Sequence, residues 1–99
     1  MNKWKKTLRY TQCLKKVERE LTWDLFVKGL SECMEFFFYY KDLTIDIAFH
    51  YENQERIYEL NISDDKHLNC LLFKTVDELV SYKAFDNKSL FDIWEELEN

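Results

Sequence analysis

Apolar residues recur along this chain at two periods, and the change between them divides it into elements. Through residues 3–20, Tyr10, Leu14, Val17 and the following Leu21 fall at i, i+4, i+7 and i+11. Lys5, Arg9, Gln12, Lys16 and Arg19 keep similar spacing on nearly the opposite side. This predicts an amphipathic helix with one apolar and one basic stripe. Trp4 and Leu8 lie off the apolar stripe, so they either wrap around the core edge or stay exposed for a partner. Thr22 is a suitable N-cap for a second helix, with Asp24 in its first turn. Trp23, Phe26, Val27, Leu30, Cys33 and Met34 supply its apolar face. Gly29 within this pattern either ends the helix early or admits a neighbouring element.

The period then changes to two. Phe36–Tyr40 is an uninterrupted apolar run, the pattern of a central strand buried on both faces. Lys41-Asp42 turns the chain into a strand over 43–51. There Leu43, Ile45, Ile47, Phe49 and Tyr51 alternate with Thr44, Asp46, Ala48 and His50. After a polar loop at 52–55, the segment 56–62 returns with Tyr58, Leu60 and Ile62 inward. A turn at 63–66 leads to Leu68–Phe73, which adds a fourth strand or leaves the sheet at three. Thr75-Val-Asp-Glu78 has the form of a capping box, opening a helix with Val76, Leu79 and Val80 inward. Ser89 caps a last helix whose Leu90, Ile93, Trp94 and Leu97 form a core face, with Trp94 a core residue.

The expected fold is therefore one α+β domain spanning 1–99. It has N-terminal helices, a three- to four-stranded antiparallel sheet, and two C-terminal helices packed on one face. Its 99 residues include one glycine and no proline, so tight loops are expected to rely on Asn and Asp.

Charge sharpens this division. Residues 1–21 hold seven Lys/Arg and two acids, a net +5. The other 78 hold seven and seventeen, a net −10, which gives −5 for the chain. A basic helix on an acidic body (22–99) makes an electrostatic dipole, which governs association more than folding. Phe, Tyr, Met, Ile, Asn and Lys number 38, against six for Gly, Ala, Arg and Pro. Such usage fits a very AT-rich genome, that of a low-GC bacterium, its phages or its plasmids. Cys13, Cys33 and Cys70 are odd in number and form no CxxC, so neither a disulfide framework nor a zinc ribbon is indicated. The basic N-terminus lacks the continuous apolar stretch of a signal peptide, and Phe36–Tyr40 is too short to span a bilayer. A soluble protein of the bacterial cytoplasm, with no membrane partner, is expected.

Little points to catalysis. His50 shares the outward side of its strand with Asp46, the setting of a solvated surface pair. His67-x-x-Cys70 is half a metal site, with no further ligands at matching spacing. No glycine-rich loop is present to cradle phosphates. The chain reads as a non-enzyme with no cofactor. Phe36–Tyr40 is not expected to be a base-stacking platform, since Glu32, Glu35, Asp42 and Asp46 surround it and Lys41 is the one base.

Two charged sets are the candidate contacts. Lys5, Arg9, Lys16 and Arg19 would track phosphates along the first helix. Glu52 and Glu55 at a hairpin tip, Asp64 and Asp65 in a turn, and Asp92, Glu95 and Glu96 on the last helix would imitate a phosphate backbone. Both sets are also compatible with ordinary solvated charge.

From Thr22 to Asn99 the order is helix, three or four antiparallel strands, helix, helix. With its small size and acidity, that order resembles a group of phage-encoded anti-CRISPR proteins that occupy the PAM-reading site of a DNA-targeting nuclease. The resemblance lies in architecture and charge, and carries over no residue. The ending from Thr75 through Trp94 looks like the C-terminus of uncharacterised short proteins from mobile elements of low-GC bacteria. The helix–strands–helix order is similar to a double-stranded-RNA-binding domain as well. That fold needs a basic N-terminus on the helix after the sheet, where this chain has Thr75, Asp77 and Glu78.

Three functions are carried forward. The first is a protein-binding inhibitor of a host defence nuclease, acting by acidic mimicry. The second is an immunity or antitoxin-type protein capping a basic toxin. The third is a regulator that binds nucleic acid through the basic helix, and is a homodimer if Trp4 and Leu8 are exposed.

Overall fold

The computed structural model describes residues 4–99. Its elements run β1 (Thr7–Gln12), β2 (Lys15–Glu20), α1 (Trp23–Ser31), β3 (Phe36–Tyr40), β4 (Leu43–Glu52), β5 (Glu55–Ser63), β6 (Leu68–Phe73), α2 (Val76–Ser81), α3 (Leu90–Ile93) and a 3-10 turn at Trp94–Glu96. β3 to β6 form a four-stranded antiparallel sheet in sequence order, and β1 and β2 a separate two-stranded one. The α+β class is as expected.

The expected first helix is instead the β1–β2 hairpin; residue 3, where that helix was to begin, lies outside the described residues. Tyr10 pairs with Val17, Leu8 with Arg19, and Arg9 with Glu18. Cys13 and Leu14 make the turn at φ 50° and 65°, the positive values that a tight two-residue hairpin turn demands. Leu8 and Tyr10 alternate along β1, and Val17 leads by alternation to Leu21, so one face carries the apolar residues. Leu8 and Leu21 reach the core, Tyr10 packs on its edge, and Leu14 projects fully into solvent. Leu8 is thus buried and Trp4 half-buried, and neither offers the exposed pair on which a dimer was expected.

α1 begins where expected, Thr22 Oγ1 accepting from Leu25 N–H at 3.3 Å. Gly29 does not end it. A Cβ there would sit 2.7 Å from Phe36 Cζ, so the glycine admits the β3 ring against the helix. Phe26 on the same face meets Phe36 and Trp94 at 5.0 Å and Phe38 at 5.6 Å between centroids. These aromatic pairs add to simple area burial.

The sheet's inner face supplies Phe36, Phe38, Ile45, Ile47 and Leu60 to a single core. α1 adds Phe26 and Leu30, α2 adds Leu79, and α3 with the following turn adds Leu90, Ile93, Trp94 and Leu97. Trp94 is a core residue, as expected. The last helix is short, four residues and then the 3-10 turn, and it carries the full capping box, between Ser89 and Asp92. At the start of α2, Thr75 Oγ1 accepts from Glu78 N–H at 3.1 Å.

β3 departs from expectation. It is an edge strand that alternates, with Phe36, Phe38 and Tyr40 buried while Phe37 and Tyr39 stand 43% and 53% exposed. Five consecutive aromatic residues hide the period of two, because residues on both faces are apolar. The helices cover only the other face.

Residues 98 and 99 join the two sheets. Tyr39 N–H donates to Glu98 C=O at 2.6 Å and Glu98 N–H to Tyr39 C=O at 3.1 Å. Asn99 N–H donates to Lys5 C=O, and its side chain bonds Thr7 N–H and C=O at 3.1 and 3.2 Å. Among the described residues no helix is long and apolar enough to cross a membrane.

Candidate functional site

The face of the four-stranded sheet opposite the helices follows from its register. Directly opposed residues of an antiparallel sheet project to the same side. Across the strands this gives the rows Tyr39–Thr44–Ser63–Leu68, Phe37–Asp46–Asn61–Cys70 and Ala48–Glu59–Leu72. Toward the hairpin tip follow His50–Ile57 and Glu52–Glu55. On this face the middle pair of strands, β4 and β5, therefore holds Asp46 and Glu59 and, at the tip, Glu52 and Glu55, without a Lys or Arg among the strand residues. Exposed Phe37 and Tyr39 flank it on one side, and exposed Leu68 and Leu72 on the other.

His50 organises the acidic end. Its Nδ1 lies 2.6 Å from Glu59 Oε2 and its Nε2 3.2 Å from Glu52 Oε1. The hydrogen bond to Glu59, then that to Glu52, raises the imidazole above its ordinary value. Asn61 Nδ2 donates to the other Glu59 oxygen at 3.4 Å. The histidine thus pairs with these two glutamates and not with Asp46, the partner that strand alternation suggested. At the tip, Glu52 and Glu55 close the hairpin directly opposite each other, an arrangement of like charges that costs stability.

The acids singled out from the sequence lie in three separate places. Glu52 and Glu55 belong to this face. Asp64 and Asp65 sit in the β5–β6 turn, toward the other end of β5. Asp64 Oδ1 accepts from the backbone N–H of Lys66 and of His67, both at 2.8 Å, and these bonds hold its carboxyl below the usual range. Asp92 is taken up by the helix cap, where bonds from Ser89 N–H and Oγ lower its carboxyl likewise. Glu95 and Glu96 are exposed on the 3-10 turn.

Lys5, Arg9, Lys16 and Arg19 do not form one stripe. Arg9 and Lys16 project from one side of the β1–β2 hairpin, and Arg19 from the other, beside Leu8. Arg9 lies 3.6 Å from Glu18, and Lys5 Nζ donates to Glu95 C=O at 3.3 Å. The buried ammonium in this region belongs to Lys6. It donates to Trp94 C=O at 2.8 Å and Leu97 C=O at 3.2 Å, and lies 4.7 Å from the Trp94 ring centroid. Burial lowers its pKa. A groove of about 480 Å³ beside it gathers Trp4, Trp23 and Trp94 between Lys5, Glu20 and Glu95. Lys6 is committed to these carbonyls and ties the base of the hairpin to the body, and the groove beside it has charges of both signs on its walls.

Sequence reasoning missed Glu59 and the exposure of Phe37 and Tyr39. The alternation of β4 already placed Asp46 and His50 outward. Glu59 needed the β4–β5 register, which sets it opposite Ala48 and diagonal to His50. His67 Nδ1 lies 3.5 Å from Asp64 Oδ1, and no group of three or more His, Cys, Asp or Glu among the described residues is placed to hold a metal ion. No protein-family model matches this chain, and comparison with curated proteins and with solved structures finds no match.

Proposed function

We propose that this chain is a non-enzymatic, protein-binding inhibitor of phage or mobile-element origin. It acts in the bacterial cytoplasm by occupying the nucleic-acid-binding surface of a host defence nuclease. The observation that carries this reading is the helix-free sheet face, with Asp46, Glu52, Glu55 and Glu59 along its two middle strands and apolar side chains on the strands to either side. Carboxylates on a rigid sheet meet a basic channel without the reorganisation a flexible tail would need, and the flanking apolar groups supply buried area. The opposed Glu52–Glu55 pair carries a local cost that a binding surface tolerates and folding alone does not favour. An immunity protein capping a basic toxin would use the same face, and a toxin as the high-affinity partner would mark that alternative.

DNA cleavage by RNA-guided nucleases of low-GC bacteria, titrated with the parent chain, tests the proposal. Inhibition is expected to weaken as salt rises. The triple variant Asp46→Lys/Glu52→Lys/Glu55→Lys should be at least about tenfold weaker, since like-charge juxtaposition costs several kcal/mol. Cleavage untouched by the parent, or a triple variant as potent as the parent, overturns the reading.

A further inference from the structure

The four-stranded sheet has two edges in unequal states. At β3, Glu98 occupies the backbone groups of Tyr39. At β6, the outer side has no strand paired with it among the described residues. Native edges are commonly blunted by lysine, proline or a bulge. β6 reads Leu-Asn-Cys-Leu-Leu-Phe, without a charge or a proline, in a chain that is 33% charged.

Which backbone groups face outward follows from the β5–β6 turn. Asp64 N–H donates to His67 C=O at 3.0 Å. Backbone direction alternates along a strand, so Asn69, Leu71 and Phe73 also address β5. Leu68, Cys70 and Leu72 turn their N–H and C=O groups away from the sheet. Their side chains project from the acidic face, where Leu68 is 72% and Leu72 53% exposed.

We propose that two copies of this chain pair antiparallel through β6 about a two-fold axis at Cys70, joining their sheets into one. The outward residues read Leu–Cys–Leu, a palindrome about Cys70. In this register Cys70 faces its own copy and Leu68 faces the partner copy's Leu72, so all three outward residues bond, with about six backbone hydrogen bonds in all. Sliding the pair by two residues in either direction leaves one outward residue per chain without its partner inside the strand. The symmetry is that of an isologous dimer, the commonest closed assembly. Copies of net charge −5 repel at long range, but β6 itself carries no charge, and the nearest strand carboxylate on this face, Glu59, lies one strand in, opposite Leu72.

Sedimentation equilibrium of the full chain from about 1 to 300 µM, the range in which small interfaces associate, should show a monomer–dimer equilibrium. Cys70→Pro removes an N–H that β5 does not use, an edge position where proline is tolerated. It should leave the melting curve intact and weaken dimerisation at least about tenfold. Leu72→Lys should weaken it as well. The double variant Leu68→Glu/Leu72→Lys should restore most of the loss by setting opposite charges across the axis, a readout specific to this register. A parent monomeric at the highest concentration overturns the proposal, as does a dimer unchanged in folded Cys70→Pro. Should Cys70→Pro not fold, the lysine variant and its rescue decide the matter: no weakening, or no rescue, overturns it.

Discussion

The hairpins β1–β2 and β4–β5 are one motif built at two lengths. Each reverses through two residues at positive φ, Cys13-Leu14 in the first and Asn53-Gln54 in the second. The first pairs strands of six residues, the second strands of ten and nine. The long one lies between β3 and β6 and covers the core with Ile45, Ile47 and Leu60, all fully buried. The short one gives the core Leu8 and Leu21, and is held by Lys6 on the carbonyls of Trp94 and Leu97 and by Asn99 on Thr7. One hairpin is thus held chiefly by packing, the other chiefly by polar attachment at its base.

That difference sets the largest expected effect. Ile47→Ala removes a buried side chain from the centre of the core and should cost about 2–5 kcal/mol, much of the ~5–15 kcal/mol available to a domain of this size. Val17→Ala, at a half-buried position on the short hairpin, should cost no more than about 1 kcal/mol, nearer to surface substitutions. Urea denaturation of both variants measures this directly. Equal losses would mean that the short hairpin is as much a part of the packed core as the long one.

The same contrast explains what could be read from the sequence. β4 offers five alternating apolar positions from Leu43 to Tyr51, and no helical repeat reproduces that pattern. In the short hairpin Val17 and Leu21 stand four apart, a spacing that a strand face and a helix face share. Leu14 completed the helical stripe, yet it lies in the turn and is fully exposed. A Cys-Leu turn carries none of the Asn-Gly chemistry that marks a hairpin, so the reversal left no local signal. The capped starts of α1, α2 and α3 were legible because Thr22, Thr75 and Ser89 act through backbone groups three residues away. The acidic face was half legible: alternation showed Asp46 and His50 outward, but pairing with β5 was needed to bring Glu59 beneath the histidine.

The turn itself offers a smaller effect of opposite sign. Leu14 holds φ 65°, a left-handed conformation costing a non-glycine residue about 1–2 kcal/mol. Its side chain, 99% exposed, gives nothing back through packing. Leu14→Gly should therefore stabilise the fold by about 0.5–1 kcal/mol, after the greater unfolded-state entropy of glycine is subtracted. The melting point should rise by roughly 2–8 °C, as expected of a domain of this length. Leu14→Ala, which keeps the Cβ, should change it little. An alanine gain equal to that of glycine would place the cost in the exposed leucine side chain and not in the backbone.

The smallest effect separates the two hairpins by pH. The short one carries Arg9 and Glu18 3.6 Å apart, and no histidine. The long one carries His50 between Glu59 and Glu52, whose hydrogen bonds raise the folded-state pKa above 6.5. The folded protein therefore holds this proton more tightly than the unfolded chain. The resulting stabilisation is fully present below the unfolded pKa of 6.5 and is lost as pH rises through the raised folded value. Urea midpoints of the parent, taken from about pH 5.5 to 8.5 across the histidine range, should fall relative to those of His50→Gln as pH increases. The two should converge at the alkaline end, where the imidazole is neutral in both states and its contribution is gone. Parallel curves across the series would mean that Glu59 and Glu52 do not hold the imidazolium in solution, and that the long hairpin is as indifferent to neutral pH as the short one.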